Sequence, residues 1–412
     1  MKRIFALLLL LLLFRCACAE AGSGTLIAVA SDLHYLSPRL AQDRSTLMRI
    51  VRASDGKVTQ YTPQIAAAFV DEMLRLRPDC VILSGDLTLN GARESHEELT
   101  ALLSPLPAAG IPVLVIPGNH DCTGTAYAFT TEGARAVAGM DAAGFREAYD
   151  AFGPKDALAR DAGSFSYVYA LADDLRILLL DANTAEAPNR VKAETLAWAK
   201  EQLRQARQAG ARVIGVTHQN LLTHFTGFTV GYRIDNADLL DALFRQYGVR
   251  LNLSGHMHLQ HIGKTADYTE IATSALSVWP QHYGVITVDG DTASYEARSL
   301  DVAAWAKNNG VSQDDLLDFD AYSRAFFDET SRDKLRTQVS GLPIGEEEKE
   351  RMLEYAVRFN RCVFSGSVSE LTDHSPVSLW EEHLPDAFFT VYMRQLLQSA
   401  KGDMLRADIP LK

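Results

Sequence analysis

The stretch Val113-Leu114-Val115-Ile116-Pro117-Gly118-Asn119-His120-Asp121-Cys122 constrains the chain more than any other. Its first four residues are apolar and mostly β-branched, the composition of a buried strand, and Pro-Gly then forces a sharp turn. Three polar residues follow directly. Asn119 offers an amide oxygen that can ligate a hard or borderline cation, His120 exchanges a proton near neutral pH, and Asp121 can orient an imidazole. A single turn of this kind says little, because buried strands commonly end in Gly-Asn or Asn-His turns. The same grammar recurs upstream and downstream, so this turn is one of a set.

Strand-like apolar runs at residues 26–30, 80–84, 113–116, 177–181, 213–217 and 251–253 alternate with amphipathic helical stretches such as 65–76 and 193–206. The alternation predicts an α/β domain whose ligands bind beyond the carboxyl ends of the strands. Polar turns close the runs: Ser31-Asp32-Leu33-His34, Gly85-Asp86, Gly118-Asn119-His120-Asp121, Thr217-His218-Gln219-Asn220 and Ser254-Gly255-His256-Met257-His258. Asp-x-His and His-x-His place two side chains on one side of an extended segment, and glycine lets the backbone turn tightly. Each piece alone reads as a capped turn or a core histidine. Together they supply eight ligand positions: two Asp, one Asn and four His, with one carboxylate counted twice as a bridge. Mixed histidine and carboxylate ligation suits iron, manganese or zinc, whereas all-oxygen sites suit magnesium or calcium and thiolates suit structural zinc. Two such ions about 3.5–4 Å apart form the arrangement used for in-line displacement at phosphorus.

At the N-terminus, basic Met1-Lys2-Arg3-Ile4 precedes a leucine run to Phe14 that is too short for the roughly 20 apolar residues of a spanning helix. Ala17-Cys18-Ala19 supplies a cleavage-like site, so residues 1–19 read as a secretory signal peptide and the location as extracytoplasmic. An uncleaved anchor is the alternative, and Arg15 beside Cys16 and Cys18 fits lipidation poorly. The formal charge is −12, and loss of Lys2, Arg3 and Arg15 with the leader takes it to −15. Such acidity argues against duplex nucleic acid as a partner. Cys80, Cys122 and Cys362 remain, an odd and scattered set that is no disulfide framework. After residue 284 the pattern becomes a hairpin with Asp289-Gly290 in its turn. Beyond 301, helical periodicity dominates at 321–327, 346–359 and 387–399, with Phe326, Phe327, Tyr355 and Phe359 spaced as core residues.

The order D-x-H, G-D, G-N-H-D, H, G-H-x-H resembles the calcineurin-like metallophosphoesterase superfamily over residues 25–300. The resemblance implies a β-sandwich flanked by helices in four αββα layers, followed here by a C-terminal helical domain over 301–412. Carried over residue by residue, Asp32, His34, Asp86 and His258 would hold one metal, and Asp86, Asn119, His218 and His256 the other. Both ions would be iron, manganese or zinc. His120 would contact the phosphate and protonate the leaving oxygen after attack by hydroxide generated at the metals, with Asp121 fixing its ring and Asn119 also touching substrate. His96, just past a helix start, reads either as a further substrate contact or as an exposed helix-capping residue. The segment following Gly85-Asp86 lacks the tyrosine of purple acid phosphatases and the G-D-x-V-D-R-G of protein Ser/Thr phosphatases, and His120 stands where lipid A pathway hydrolases carry Arg. Ser84 to Gly91, Ser95 to Leu99 and Thr273 to Pro280 look like exported bacterial phosphodiesterases of the class III cyclic-nucleotide type. The expectation is therefore an exported hydrolase of small phosphodiesters, cyclic nucleotides among them. A phosphomonoesterase or nuclease of the same fold is the nearest rival, and a catalytically silent metal-binding module is the rival from another class.

Overall fold

The apolar run Thr25–Ala30 lies inside a six-stranded sheet, with Cys80–Leu83 parallel on one side and His282–Asp289 antiparallel on the other. A strand wedged between two neighbours and covered on both faces cannot leave a polar side chain in water, and Ile27 to Ala30 are fully buried. Val113–Val115 extends the sheet in parallel beyond Cys80–Leu83, and Thr292–Ser299 extends it past His282–Asp289. This computed structural model describes residues 24–225, 227, 230–399 and 402–412, so the expected leader at 1–19 lies outside the described residues.

The second sheet has seven strands in the order His261–Lys264, Thr269–Ala272, Leu251–Ser254, Arg212–Val216, Leu175–Leu179, Tyr167–Ala172 and Ala159–Arg160. The alternation of strand side chains separates its two faces. Leu175, Ile177 and Leu179 enter the core shared with the first sheet, whereas Leu178 joins the apolar layer under the helices Ala193–Gln208 and Ala237–Tyr247. Tyr167 crosses between sheets, its hydroxyl donating to the Val115 carbonyl at 2.9 Å. Helix Thr62–Leu76 covers the first sheet, with Phe69 edge-on to Tyr283 at 6.0 Å. Its first turn accommodates Pro63, its stripe Ile65, Phe69 and Met73 faces inward, and it stops at Arg77 in a left-handed cap. Helices, sheet, sheet and helices thus stack as expected. Among the described residues no helix is long and apolar enough to cross a membrane.

Two parts of the chain depart from the expectation. Residues 125–138 form an antiparallel hairpin, Thr125–Thr130 against Gly133–Ala138, in an alanine-rich stretch poor in the β-branched apolar residues that mark the other strands. The region 301–412 is helical up to Phe388–Ser399, but Arg406–Pro410 is a strand that returns to the first sheet and pairs with Thr292–Ser299. The helical region is therefore closed at its far end by an edge strand of the first sheet rather than hanging free. Five residues beside the chain end carry too little period-two pattern to be read as a strand. Phe326, Phe327, Tyr355 and Phe359 are buried as their spacing predicts, and Cys80, Cys122 and Cys362 are free thiols.

Ile409 is 1 % exposed and opposite Ala293 in that last pairing. Ile409→Ala should lower the unfolding free energy by about 2–4 kcal/mol, read by denaturant titration with the native far-UV helix signal unchanged. A loss below about 0.5 kcal/mol, the range of a surface substitution, would mean the strand does not dock.

Candidate metal centre

Five strands, three from the first sheet and two from the second, end on one side of the sandwich and release the polar turns there. Backbone hydrogen bonds knit the turns to each other: Asp32 N–H donates to Gly85 at 3.1 Å, His34 N–H to Asp86 at 3.0 Å and Gly255 N–H to His218 at 2.9 Å. The turns are unusually tight. Asp32, His34, Asp86, His256 and His258 all adopt left-handed φ between 44° and 68°, five of the eight described non-glycine residues that do so. Each such residue costs on the order of 1 kcal/mol or more, so the strain of the fold collects at this cluster. Gly118 is required for a different reason. A Cβ there would overlap the carboxylate and amide of Asp86.

The ligand atoms of Asp32, His34, Asp86 and His258 lie within 4.8 Å of one another, and those of Asp86, His218 and His256 do likewise. Asp86 belongs to both groups. Asn119 adds its oxygen to the second, 3.2 Å from His218 Nε2. Partners on the far side of each ring settle which nitrogen faces inward. His218 Nδ1 donates to the Ser84 carbonyl at 2.9 Å, which turns Nε2 towards Asp86 Oδ2 at 3.3 Å. His256 Nε2 donates to the Gly231 carbonyl at 2.8 Å, which makes Nδ1 the nitrogen that carries the lone pair. His34 Nε2 meets His258 Nε2 at 3.0 Å, and Asp32 Oδ1, buried without a hydrogen bond, stands 3.3 Å from the same His258 nitrogen. Imidazole and carboxylate groups that converge in a buried place are the chemistry of a cation site. The residues present therefore fit two cations sharing Asp86.

Electrostatics point the same way. Burial pulls the His218 pKa down, but Asp86 outweighs it and lifts it to about 9. His258 reaches about 9 likewise, with Asp55 and then Asp32 overcoming burial. Burial and the neighbouring His218 take His256 down to about 4. Although burial alone would raise them, the Asp32 and Asp86 carboxyls are held below the usual carboxylate range, Asp32 by His258 and Asp86 by His218. The two buried carboxylates are thus paired with imidazole protons that a cation can displace.

His120 sits at its mouth, with its side chain 40 % exposed and Nε2 3.9 Å from Asp86 Oδ2. Its backbone N–H donates to Asp86 Oδ1 at 2.8 Å, and its Nδ1 donates to the Leu89 carbonyl at 2.7 Å. This corrects the expectation that Asp121 fixes the ring. The buried Asp121 carboxylate instead accepts from the N–H groups of Leu87, Thr88 and Gly118, tying the second and third turns together, and burial with the Asp86 charge raises its pKa to about 6. His96 is corrected as well, being neither exposed nor open to substrate. It is fully buried in helix Arg93–Leu103, with Nδ1 2.9 Å from the Tyr149 hydroxyl and Nε2 3.0 Å from the Asp121 carbonyl. His224 and His261 face each other at 2.8 Å between Nδ1 atoms, outside the ligand groups, and His282 is buried apart from them. Cys122 is a free thiol, and its pKa is raised by burial.

Two parts of the site have no sequence signature. The Leu89 carbonyl that aims His120 is backbone, and Asp55, whose carboxylate accepts from His258 Nδ1, lies in an Asp-Gly-Lys turn that reads as surface.

The model of the family described as calcineurin-like phosphoesterase matches residues 25–260. The chain belongs to that family. A second family model, the C-terminal domain of cyclic nucleotide phosphodiesterase, matches residues 301–403. A cAMP/cGMP dual specificity phosphodiesterase of Mycobacterium tuberculosis is 24 % identical over 185 residues, 44 % of this chain and 49 % of that protein. The match thus spans about half the length of the mycobacterial relative. A Synechococcus protein named "Probable cyclic nucleotide phosphodiesterase" is 26 % identical over 230 residues, 56 % of this chain and 76 % of its own. Among solved structures, a dimetal phosphatase from Danio rerio aligns at 12 % identity with a TM-score of 0.49, over 67 % of this chain and 96 % of that one. Calcineurin-like phosphoesterases generally bind two metal ions, and this chain's candidate cluster has the donor groups to match.

A cation and a proton compete for the same imidazole nitrogens. With His218 and His258 raised to about 9, they are protonated at neutral pH until a cation displaces the protons. Affinity for Mn²⁺ should therefore rise from pH 6 towards pH 9, and calorimetry in buffers of different ionisation heat should register proton release. Affinity independent of pH across that window would refute these donors.

Proposed function

We propose that the protein hydrolyses small phosphodiesters, cyclic nucleotides among them, with two cations drawn from iron, manganese and zinc. The observation that carries this reading is the pair of donor groups joined at Asp86 beside a solvent-open His120. The second family model and the names of both relatives support the diester over the monoester. Asp32, His34, Asp86 and His258 would hold one ion, and Asp86, Asn119, His218 and His256 the other. When bound, such a pair supplies Lewis acidity at a phosphoryl group and acidifies water.

The chain's own residues do the rest. Because His120 Nδ1 keeps its proton on the Leu89 carbonyl, Nε2 is the atom that exchanges. It points to the cluster, so a protonated Nε2 can donate to a leaving oxygen as the ester bond breaks. The hydrogen bond from the His120 backbone to Asp86 locks that geometry to the shared carboxylate. Asn119, one residue before, has its amide oxygen 3.2 Å from His218 Nε2 and would contact both cation and substrate.

We extend the proposal to export, supported by the basic start and leucine run of residues 1–19. Cell fractionation of the full chain tests it, and a purely cytoplasmic protein with an intact N-terminus would overturn it.

The decisive assay uses purified protein loaded with Mn²⁺ on bis(p-nitrophenyl) phosphate, p-nitrophenyl phosphate and 2′,3′- and 3′,5′-cyclic nucleotides, against a chelated control. Metal-dependent turnover of diesters over the monoester is expected. Preference for the monoester would leave the metal site and remove the diester reading, and silence with two bound metals would favour a binding module. His120→Ala should keep its metals and lose roughly 10²–10⁴ in rate on the cyclic nucleotides. The loss should be smaller on p-nitrophenyl esters, whose leaving group needs no proton.

A further inference from the structure

We propose that Asp55 is a positioning residue for His258 and that the C-terminal helical region is what holds Asp55 in place. The inference rests on the reading above that His258 ligates a cation. Asp55 Oδ2 accepts from His258 Nδ1, at the opposite edge of the ring from the cluster. That contact keeps the proton on Nδ1 and orients the ring so that Nε2 faces Asp32 and His34. Lys57 Nζ stands 3.0 Å from the other Asp55 oxygen, off the hydrogen-bond direction but close enough to neutralise the carboxylate. Asp55 thus has the place and the charge balance of a carboxylate that backs a ligating histidine.

The turn that carries Asp55 is gripped from two sides. On one, Val58 N–H donates to the Ser277 carbonyl at 2.9 Å, and Lys57 pairs in a bridge with Val278. The Ser277 hydroxyl in turn donates to the Asp32 carbonyl at 2.9 Å, so the same loop steadies a second ligand turn. On the other side lies helix Phe319–Val339 of the C-terminal region. Gly56 adopts φ +86°, and a Cβ there would come within 2.7 Å of the Phe327 ring and 3.3 Å of its Cα. Phe327 is 1 % exposed and forms a small apolar cluster with Ala275 and Val278, flanking Ser277. Arg52, at the start of the same turn, pairs with Glu329 at 2.7 Å. Phe327 is therefore the floor of the turn. The C-terminal region contributes to the centre by fixing one carboxylate behind one ligand, and none of its described residues belongs to either ligand group.

The test is calorimetric titration of metal-stripped full-length protein with Mn²⁺, alongside the melting temperature of each stripped variant. Wild type should bind two ions. Asp55→Ala should weaken one of them roughly 10–100-fold and leave the other unchanged, with Asp55→Asn in between because its amide oxygen still accepts from Nδ1. Phe327→Leu, which keeps most of the buried volume, should weaken the same single ion several-fold. A general packing defect would instead lower the melting temperature and weaken both ions together, which would overturn the proposal. Wild-type affinity at both sites in Asp55→Ala would also overturn it, while leaving the metal reading intact. Weakening by Asp55→Ala but not by Phe327→Leu would remove the C-terminal region's role. If wild-type protein binds no metal, both readings fall together.

Discussion

One buried carboxylate governs this molecule. Asp86 is 1 % exposed, accepts from the His120 backbone, faces His218 at 3.3 Å and has His34 and His120 at 3.9 Å. A charge so deeply buried is sustainable only when the groups around it are arranged for it. The arrangement reaches far. Gly118 must lack a side chain so that the third turn can close on Asp86, and the Asp86 carbonyl must accept from His34 so that the first turn lies beside the second. The left-handed backbone at five cluster residues is the local cost of this convergence. The buried apolar side chains of the strands behind them offset it, at about 1.5–3 kcal/mol for each large one.

The order of polar turns at strand ends was readable because each turn sits next to an apolar run that can only be a buried strand. The residues of both ligand groups, from Asp32 to His258, come together as that reading requires. Side chains that act through other side chains were not readable. Asp121 follows His120 in sequence, and adjacency suggested contact, yet successive residues in a turn point apart and its carboxylate reaches back to Leu87 and Thr88. His96 shows the converse. A polar residue near a helix start looks exposed until the Tyr149 hydroxyl and the Asp121 carbonyl, 53 and 25 residues away, are found to satisfy both nitrogens. Asp55 is 203 residues from the histidine it meets, and no local pattern encodes a pairing at that distance.

The fold was readable to the same extent and failed for the same kind of reason. The expected buried strands and the helices at 65–76 and 193–206 lie within a few residues of their expected places, because burial imposes composition, whereas the helix expected at 321–327 runs on to Val339. The hairpin at 125–138 and the strand Arg406–Pro410 owe their structure to neighbours rather than to their own composition.

The returning strand also sets a timetable for biosynthesis. The first sheet pairs Thr25–Ala30 with His282–Asp289, that strand with Thr292–Ser299, and Thr292–Ser299 in turn with Arg406–Pro410. At roughly 5–20 residues per second, a ribosome takes on the order of ten seconds or more to travel from the first of these strands to the second. Throughout that interval a buried segment has only one of its two flanking partners, and the sheet is finished only once Arg406–Pro410 has been made. A nascent chain of this design is a client for whatever shields unpaired strands, and slowing its synthesis lengthens the exposure instead of helping it fold.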